Sequence, residues 1–365
     1  MITGNKGDWS EIYTLFKILG DGVVYAGNGK MERIDNLFYP IMRVIRAEKE
    51  QDNRKNEFIH HYEPNKDGRI VSILNEAEEE LMRVSMVEFE SIAKSLLGGI
   101  RESKGSAFPL PKIEEFMHSV KCHTLKASSK DKADIRVVIH DLRTGITPQL
   151  GFSIKSQLGE PATLLNAGKT TNFTYKITGV NLTDADIAEI NAIQNQNPRM
   201  ESLFSRGAIL KYHSMDCQTF EDNLIIIDSF MPEIVSECIV QYYMSKNTGI
   251  DKILQGVISR NPLGIKRIPE IYYISKIKSL FVDTALGMVP SRVWKREYDA
   301  TGGYLVVRSD GEVLCYHFYD RNQFEDYLFQ NTKLEFASRK RHDYGYVYRE
   351  GSNVFIKLNL QIRFK

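Results

Sequence analysis

Four cysteines in 365 residues, Cys122, Cys217, Cys238 and Cys315, stand too far apart to form a Cys-x-x-Cys unit. That spacing argues against a zinc ribbon and fits a reducing cytoplasm. His118, Cys122 and His123 lie close in sequence, but with no fourth ligand nearby they make a poor zinc site. No run approaches the roughly eighteen apolar residues needed to span a bilayer, and the N-terminal MITGNKGDWSE carries no apolar signal segment. A cytoplasmic protein without a membrane partner is expected. An excess of one charge is also missing: a formal net charge of +1 gives no global attraction to nucleic acid, so any such surface has to come from local clustering. Gly168-Lys169-Thr170 has the look of the end of a phosphate-binding loop, but the glycine required five residues before Gly168 is Thr163, and a nucleotide-hydrolysing site fails on spacing. No internal repeat is apparent.

What the chain does have is ample apolar material, 42% hydrophobic residues, and one stretch around which the rest is organised. Residues 134–156, DIRVVIHDLRTGITPQLGFSIKS, read as a β-hairpin: two strand-like runs rich in Val, Ile and Phe around Thr-Gly and Pro. With Thr144 and Gly145 at the centre of the reversal, Asp134 falls opposite Lys155 and Arg136 opposite Ser153. Side chains alternate between strand faces, so Ile135, Val137, Ile139, Phe152 and Ile154 bury on one side, and Asp134, Arg136, Ser153 and Lys155 gather on the other. A carboxylate beside a lysine suits metal-assisted phosphodiester hydrolysis: the acid holds a hard divalent cation, magnesium above all, and the ammonium places a water becoming hydroxide. The plain alternative is a cross-strand ion pair on a solvated face, worth about a few tenths of a kcal/mol.

Elsewhere, Asp8 or Ser10 is placed as the cap of a helix reaching residue 19, with Ile12, Leu15, Phe16 and Leu19 as its apolar stripe and Glu11 at its edge. Residues 20–30 read as a hairpin or loop, 31–50 as a helix kinked at Pro40, 50–68 as a mobile loop, and 76–97 as one or two helices ending at Gly98-Gly99. Residues 104–111 read as a linker, 113–118 as a short helix, and 128–132 as a polar approach to the hairpin. Glu160, between Gly159 and Pro161, reads as the start of a helix. A strand is expected at 172–179 and helices at 184–193, twice within 220–244, at 251–258 and at 271–282; the apolar 220–244 is core or a dimer contact. Asp310-Gly311 signals a hairpin turn between strands 304–308 and 313–318, and further strands follow at 345–349 and 354–360. Residues 331–365 set eight Lys and Arg against three acids, interleaved with Tyr344, Tyr346 and Tyr348. That is a plausible DNA-facing surface, with Arg339 and Arg341 as candidate base readers and Lys340 as a phosphate contact; a solvated basic turn is the alternative.

Three stretches give these features a family. NKGDWSEIYTLFKIL (5–19), GFSIKSQLGEPATLLNAGKTTNFTYKI (151–177) and RHDYGYVYREGSNVFIKLNLQIRF (341–364) resemble the HpaII family of type II restriction endonucleases, and the Asp134…Ile154-Lys155 spacing resembles the PD-(D/E)XK nuclease signature. The resemblance implies an α/β restriction-endonuclease-like core with a mixed sheet, flanking helices and a β-rich C-terminal region. Residues 1–290 would form the catalytic core and 291–365 the DNA-recognition region. It implies Mg2+-dependent, sequence-specific cleavage of double-stranded DNA at a CCGG-like site, leaving 5′-phosphate ends. The partners implied are a second copy of the chain, matching a palindromic site, and a cognate DNA methyltransferase as genetic partner. The acid usually found two residues before the lysine is Ser153 here, and the position some related nucleases use instead, fourteen residues past it, is Lys169. On this reading Asp134 and Glu11 bind metal, with the Ile154 carbonyl as a further ligand; Lys155 orients the water; Ser153 supports the site; Gln157 joins the DNA contacts. Two rivals stand beside it: a DNA-binding protein on a nuclease-like scaffold with an incomplete metal site, and a nuclease acting on RNA or branched DNA.

Overall fold

The structure, a computed structural model, describes residues 1–49, 57–127, 133–298 and 301–365. The expected approach at 128–132, and part of the expected loop at 50–68, lie outside the described residues. Among the described residues no helix is long and apolar enough to cross a membrane.

Chain contacts define two compact units: residues 1–162 with 298–327, and 163–297 with 328–365. These boundaries differ from the expected 1–290 and 291–365, because the C-terminal hairpin Gly303–Val307 and Val313–His317 joins the sheet that holds the catalytic candidates. That mixed sheet has nine strands in the order Val23–Gly27, Val313–His317, Gly303–Val307, Gln149–Ser156, Ile135–Ile139, Arg33–Lys49, Glu57–Asn65, Ile70–Leu74 and Glu80–Ser85. Val23–Gly27 also pairs with Arg33–Lys49, so the ladder closes on itself through that long strand.

The helix Lys6–Asp21 packs on this sheet. Its cap is Asn5, whose side chain takes the N–H of Asp8 while Asp8 takes that of Asn5; Asp8 and Ser10, the expected caps, both lie inside the helix. Gly22, in the left-handed region at φ 64°, ends it. Trp9, Ile12, Leu15, Phe16 and Leu19 are fully buried, each contributing about 1.5–3 kcal/mol of apolar transfer. Phe16 meets Phe89 of helix Met86–Glu102 at 5.7 Å between ring centroids and Phe116 of helix Pro111–Ser119 at 5.3 Å. A Cβ on Gly20 would come within 2.9 Å of the Glu90 backbone nitrogen, so only glycine permits this approach of the first two helices.

Four expectations are corrected. The described part of the loop expected at 50–68 holds the strand Glu57–Asn65. Where a helix was expected at 31–50, the described residues form the strand Arg33–Lys49. Its buried positions run Tyr39, Ile41 and then Val44, Arg46, Glu48, because an irregularity between Ile41 and Arg43 switches the inward face from odd to even positions. Broken alternation of that kind leaves apolar residues at spacings of three and four, which imitates a helix. Residues 76–97 begin with the strand Glu80–Ser85, and the helix Met86–Glu102, capped by Ser85, runs through Gly98-Gly99. After Glu160 comes the short strand Thr163–Leu165, not a helix.

The second unit holds a four-stranded antiparallel sheet, Ile209–Met215, Asn172–Thr178, Asn353–Asn359 and Val347–Glu350. It also holds a three-stranded sheet, Thr163–Leu165, Ile362–Phe364 and Thr332–Leu334. The expected helices are present as Asp184–Ala192, Gln218–Ile227, Met231–Ser245, Ile250–Arg260 and Pro269–Leu286. Met231–Ser245 is core: Ile234, Val235, Cys238 and Ile239 are buried within the protein.

Candidate active site

The hairpin forms, with its register displaced by two residues from expectation. Ile135 pairs with Phe152 and Arg136 with Gly151, and the Asp134 N–H donates to the Phe152 carbonyl at 2.9 Å, which puts Asp134 across from Ser153 rather than Lys155. The cause is the turn. Asp141 accepts from Gly145 N at 2.7 Å and donates to the Ile146 carbonyl at 3.0 Å, with Gly145 at φ 71°, which centres the reversal earlier than Thr144-Gly145. A two-residue shift preserves facing, so Ile135, Val137, Ile139 and Phe152 are buried, together with Leu150, while Ile154, expected to bury, is only partly covered; Asp134, Ser153 and Lys155 still share the other face, half-buried.

Three elements converge there. The Ser10 and Ser156 hydroxyls, 2.8 Å apart, tie the first helix to the end of strand Gln149–Ser156 and bring Glu11 to the hairpin. Burial, and then the charge of Asp134, push the Glu11 carboxyl up to about 7, while Lys126 and Arg46 pull it down. Two carboxylates from different elements thus face one space. Asp134 accepts the Ile154 N–H at 2.7 Å through one oxygen. The Phe152 carbonyl already points at Asp134, and the carbonyl two residues on, of Ile154, points to the same strand edge. Burial lowers the Lys155 ammonium from the usual lysine range, with Asp134 and Glu11 opposing. Its Nζ lies 4.9 Å from the centre of the Tyr304 ring, on the neighbouring parallel strand. A cleft of about 760 Å3 opens beside Glu11 and the end of strand Gln149–Ser156, lined among others by Asp8, Glu11, Lys126, Ile154 and Glu160; Asp134, Ser153 and Lys155 lie outside its lining.

Among the described residues no group of three or more His, Cys, Asp or Glu could hold a metal ion. His118 and His123 instead face each other, their Nδ1 atoms 2.9 Å apart, and Cys122 is buried. At the hairpin, two carboxylates and a carbonyl are a partial oxygen set of the kind magnesium accepts, since it keeps several of its waters.

Lys126 and Tyr304 were not legible as site residues. The Lys126 ammonium lies 2.9 Å from Asp8. Its segment is held by a buried ion pair, Arg46–Glu48 at 2.6 Å, in which Glu48 takes the N–H of His123 at 2.7 Å and Arg46 donates to the Thr124 carbonyl. A run such as HTLKA carries no sign of that tether. Tyr304 sits in a hairpin that was read as part of a separate C-terminal region.

The expected DNA contacts divide. Gln157 is exposed, and its side-chain oxygen accepts the Ser309 N–H at 3.1 Å. Arg339, Lys340 and Arg341 lie on a single helical turn, Arg339–His342. Arg339 turns inward, donating to the Gln194 carbonyl and lying 5.5 Å from the Tyr346 ring centre, whereas Lys340 and Arg341 are exposed.

A carboxylate–lysine hairpin joined by a second, helix-borne carboxylate is chemically suited to metal-assisted phosphodiester hydrolysis. The chain matches the family model described as HpaII restriction endonuclease over residues 5–364, and it belongs to that family. It is 45% identical over 364 residues to the type II restriction enzyme HpaII of Haemophilus parainfluenzae, covering 99% of this chain and 98% of that one. The protein is thus a type II restriction endonuclease, a site-specific deoxyribonuclease. No solved structure matches it.

Proposed function

We propose that the protein cuts double-stranded DNA at a CCGG-like site in a Mg2+-dependent reaction at the hairpin, leaving 5′-phosphate ends. The observation that carries the reading is the meeting of Glu11, Asp134 and Lys155 on one half-buried face, with the Glu11 carboxyl raised to about 7 partly by Asp134. Asp134, Glu11 and the Ile154 carbonyl would hold the cation, which when bound supplies charge neutralisation at the phosphate and a more acidic water. Lys155, partly desolvated against Tyr304, donates to the attacking water or the phosphate oxygen. Ser153 stands across from Asp134 where an acid is usual, and Glu11 supplies the missing carboxylate from the helix. The core is then a PD-(D/E)XK-like one whose second acid has moved. Lys340 and Gln157 contact the DNA backbone. A palindromic site calls for a homodimer, one hairpin per strand, and the host DNA for protection by a cognate methyltransferase.

Digestion of a fully sequenced plasmid tests this reading. Discrete fragments with magnesium, none with EDTA, and 5′-phosphates at CCGG-like ends are expected; smeared products or metal-independent cutting would contradict it.

The raised Glu11 carboxyl gives a second test. A carboxyl with a pKa raised to about 7 is largely protonated below that value, and the proton competes with the cation. The Mn2+ affinity of the protein without DNA therefore falls as pH drops through about 7, approaching roughly tenfold per unit below it, and Glu11→Gln flattens the profile. A titration by calorimetry that shows no pH dependence in the parent protein would remove Glu11 from the ligand set.

A further inference from the structure

Two of the stretches that carry the family likeness meet in the second unit at a place the hairpin chemistry does not use. In the three-stranded sheet Leu165 and Leu334 both pair with Ile362. Asn166, Glu335 and Gln361 therefore emerge together at one end of the three strands. The turn Arg339–His342 lies at the same end, and a polar cleft of about 540 Å3 opens there, lined by Asn166, Glu335, Arg341, His342, Gln361 and Arg363 among others.

The frame of this cleft is fixed. Glu335 pairs with Arg363 at 2.9 Å, and its N–H donates to the Gln361 carbonyl at 3.2 Å. The wholly buried Asn172 donates to the His342 carbonyl at 2.9 Å and is itself held by Asn359 at 2.7 Å. Within that frame the side chains of Asn166, Arg341 and Gln361 have no hydrogen-bond or ion-pair partner among the described residues. Arg339, two residues before Arg341, is engaged by Gln194 and Tyr346.

We propose that this cleft reads the edges of G·C base pairs, with Arg341 donating to guanine and Gln361 and Asn166 bonding adjacent base edges. The inference rests on duplex DNA as the substrate. A guanidinium fork matches guanine O6 and N7, a carboxylate such as Glu335 accepts from the cytosine amino group, and side-chain amides offer donor and acceptor together. Glu335 pairs with Lys333 at 3.8 Å as well as with Arg363, and as an acceptor it suits an amino group better than a backbone oxygen. Arg341, not Arg339, is then the guanine reader of the basic turn.

The test uses fluorescence anisotropy without divalent cation, on a duplex carrying the site found in the plasmid digest and on a scrambled duplex. Arg341→Ala should weaken binding to the first by about 5- to 150-fold while changing the second by less than about threefold, and Gln361→Ala should lower selectivity in the same sense. Lys340→Ala should instead weaken both alike and flatten the salt dependence. Equal loss on both duplexes for Arg341→Ala, or no loss on either, in a variant with the parent circular dichroism would overturn the cleft assignment. A parent protein that cuts at the site yet binds the two duplexes alike would overturn the cleft assignment, whereas a plasmid digest without discrete fragments would overturn the proposed cleavage reading on which it rests.

Discussion

Lys155→Ala is expected to leave a protein that folds and binds DNA but cuts it about 10²–10³-fold more slowly. The lysine projects from the face of strand Gln149–Ser156 opposite the buried Leu150 and Phe152, so its truncation opens no core cavity. What is lost is a donor in a partly desolvated setting, against Tyr304 and between two carboxylates, where one preorganised charge is worth far more than in water. Asp134→Asn should do the same by a different route. The amide can still accept the Ile154 N–H, so the hairpin survives, while the charge that would hold a cation is gone. Initial rates on a labelled duplex, with gel shift and circular dichroism on the same preparations, check both variants. Cleavage by either within about tenfold of the parent would place the chemistry elsewhere.

Glu48→Ala should destabilise the first unit by about 3–5 kcal/mol, because it leaves Arg46 buried without its partner. Both side chains are nearly inaccessible, 4% and 3% exposed, and Glu48 also takes the His123 N–H. The two tryptophans separate the readouts, Trp9 lying in the first unit and Trp294 in the second. In a Trp294→Phe background, Trp9 fluorescence should report a midpoint lowered by roughly 10 °C. Replacing both partners, Arg46→Met with Glu48→Leu, should recover most of the loss, since apolar residues of similar volume remove the buried charge altogether. A single variant within about 1 kcal/mol of the parent would mean that the pair does not hold the 122–126 segment, and with it Lys126, at the cleft.

These expectations rest on features of unequal legibility. The hairpin and the shared face of Asp134 and Lys155 were readable because alternation fixes which side a residue takes, and the two-residue error in register left that parity intact. The long strand Arg33–Lys49 was misread for the converse reason: its irregularity after Ile41 switches parity within one strand and produces helical spacing. Glu11 was accessible through the edge of an apolar stripe together with the family likeness; its helix cap was misplaced from Asn5 because Asp8 and Ser10 are also capping residues. Lys126 was not accessible, since only the tertiary tether from Arg46 and Glu48 brings it to the cleft. In the basic turn, composition could name three cations but not their directions, and Arg339 points inward. Long-range placement of this kind is set by packing, and local sequence patterns do not record it.

The most direct measurement is a crystal structure of the protein with its recognised duplex and Ca2+. The hairpin account predicts a cation bound by Asp134 and Glu11 with the scissile phosphate beside it and within reach of Lys155. A cation bound elsewhere, or a scissile phosphate lying against other residues while the hairpin face remains exposed to solvent, would contradict it.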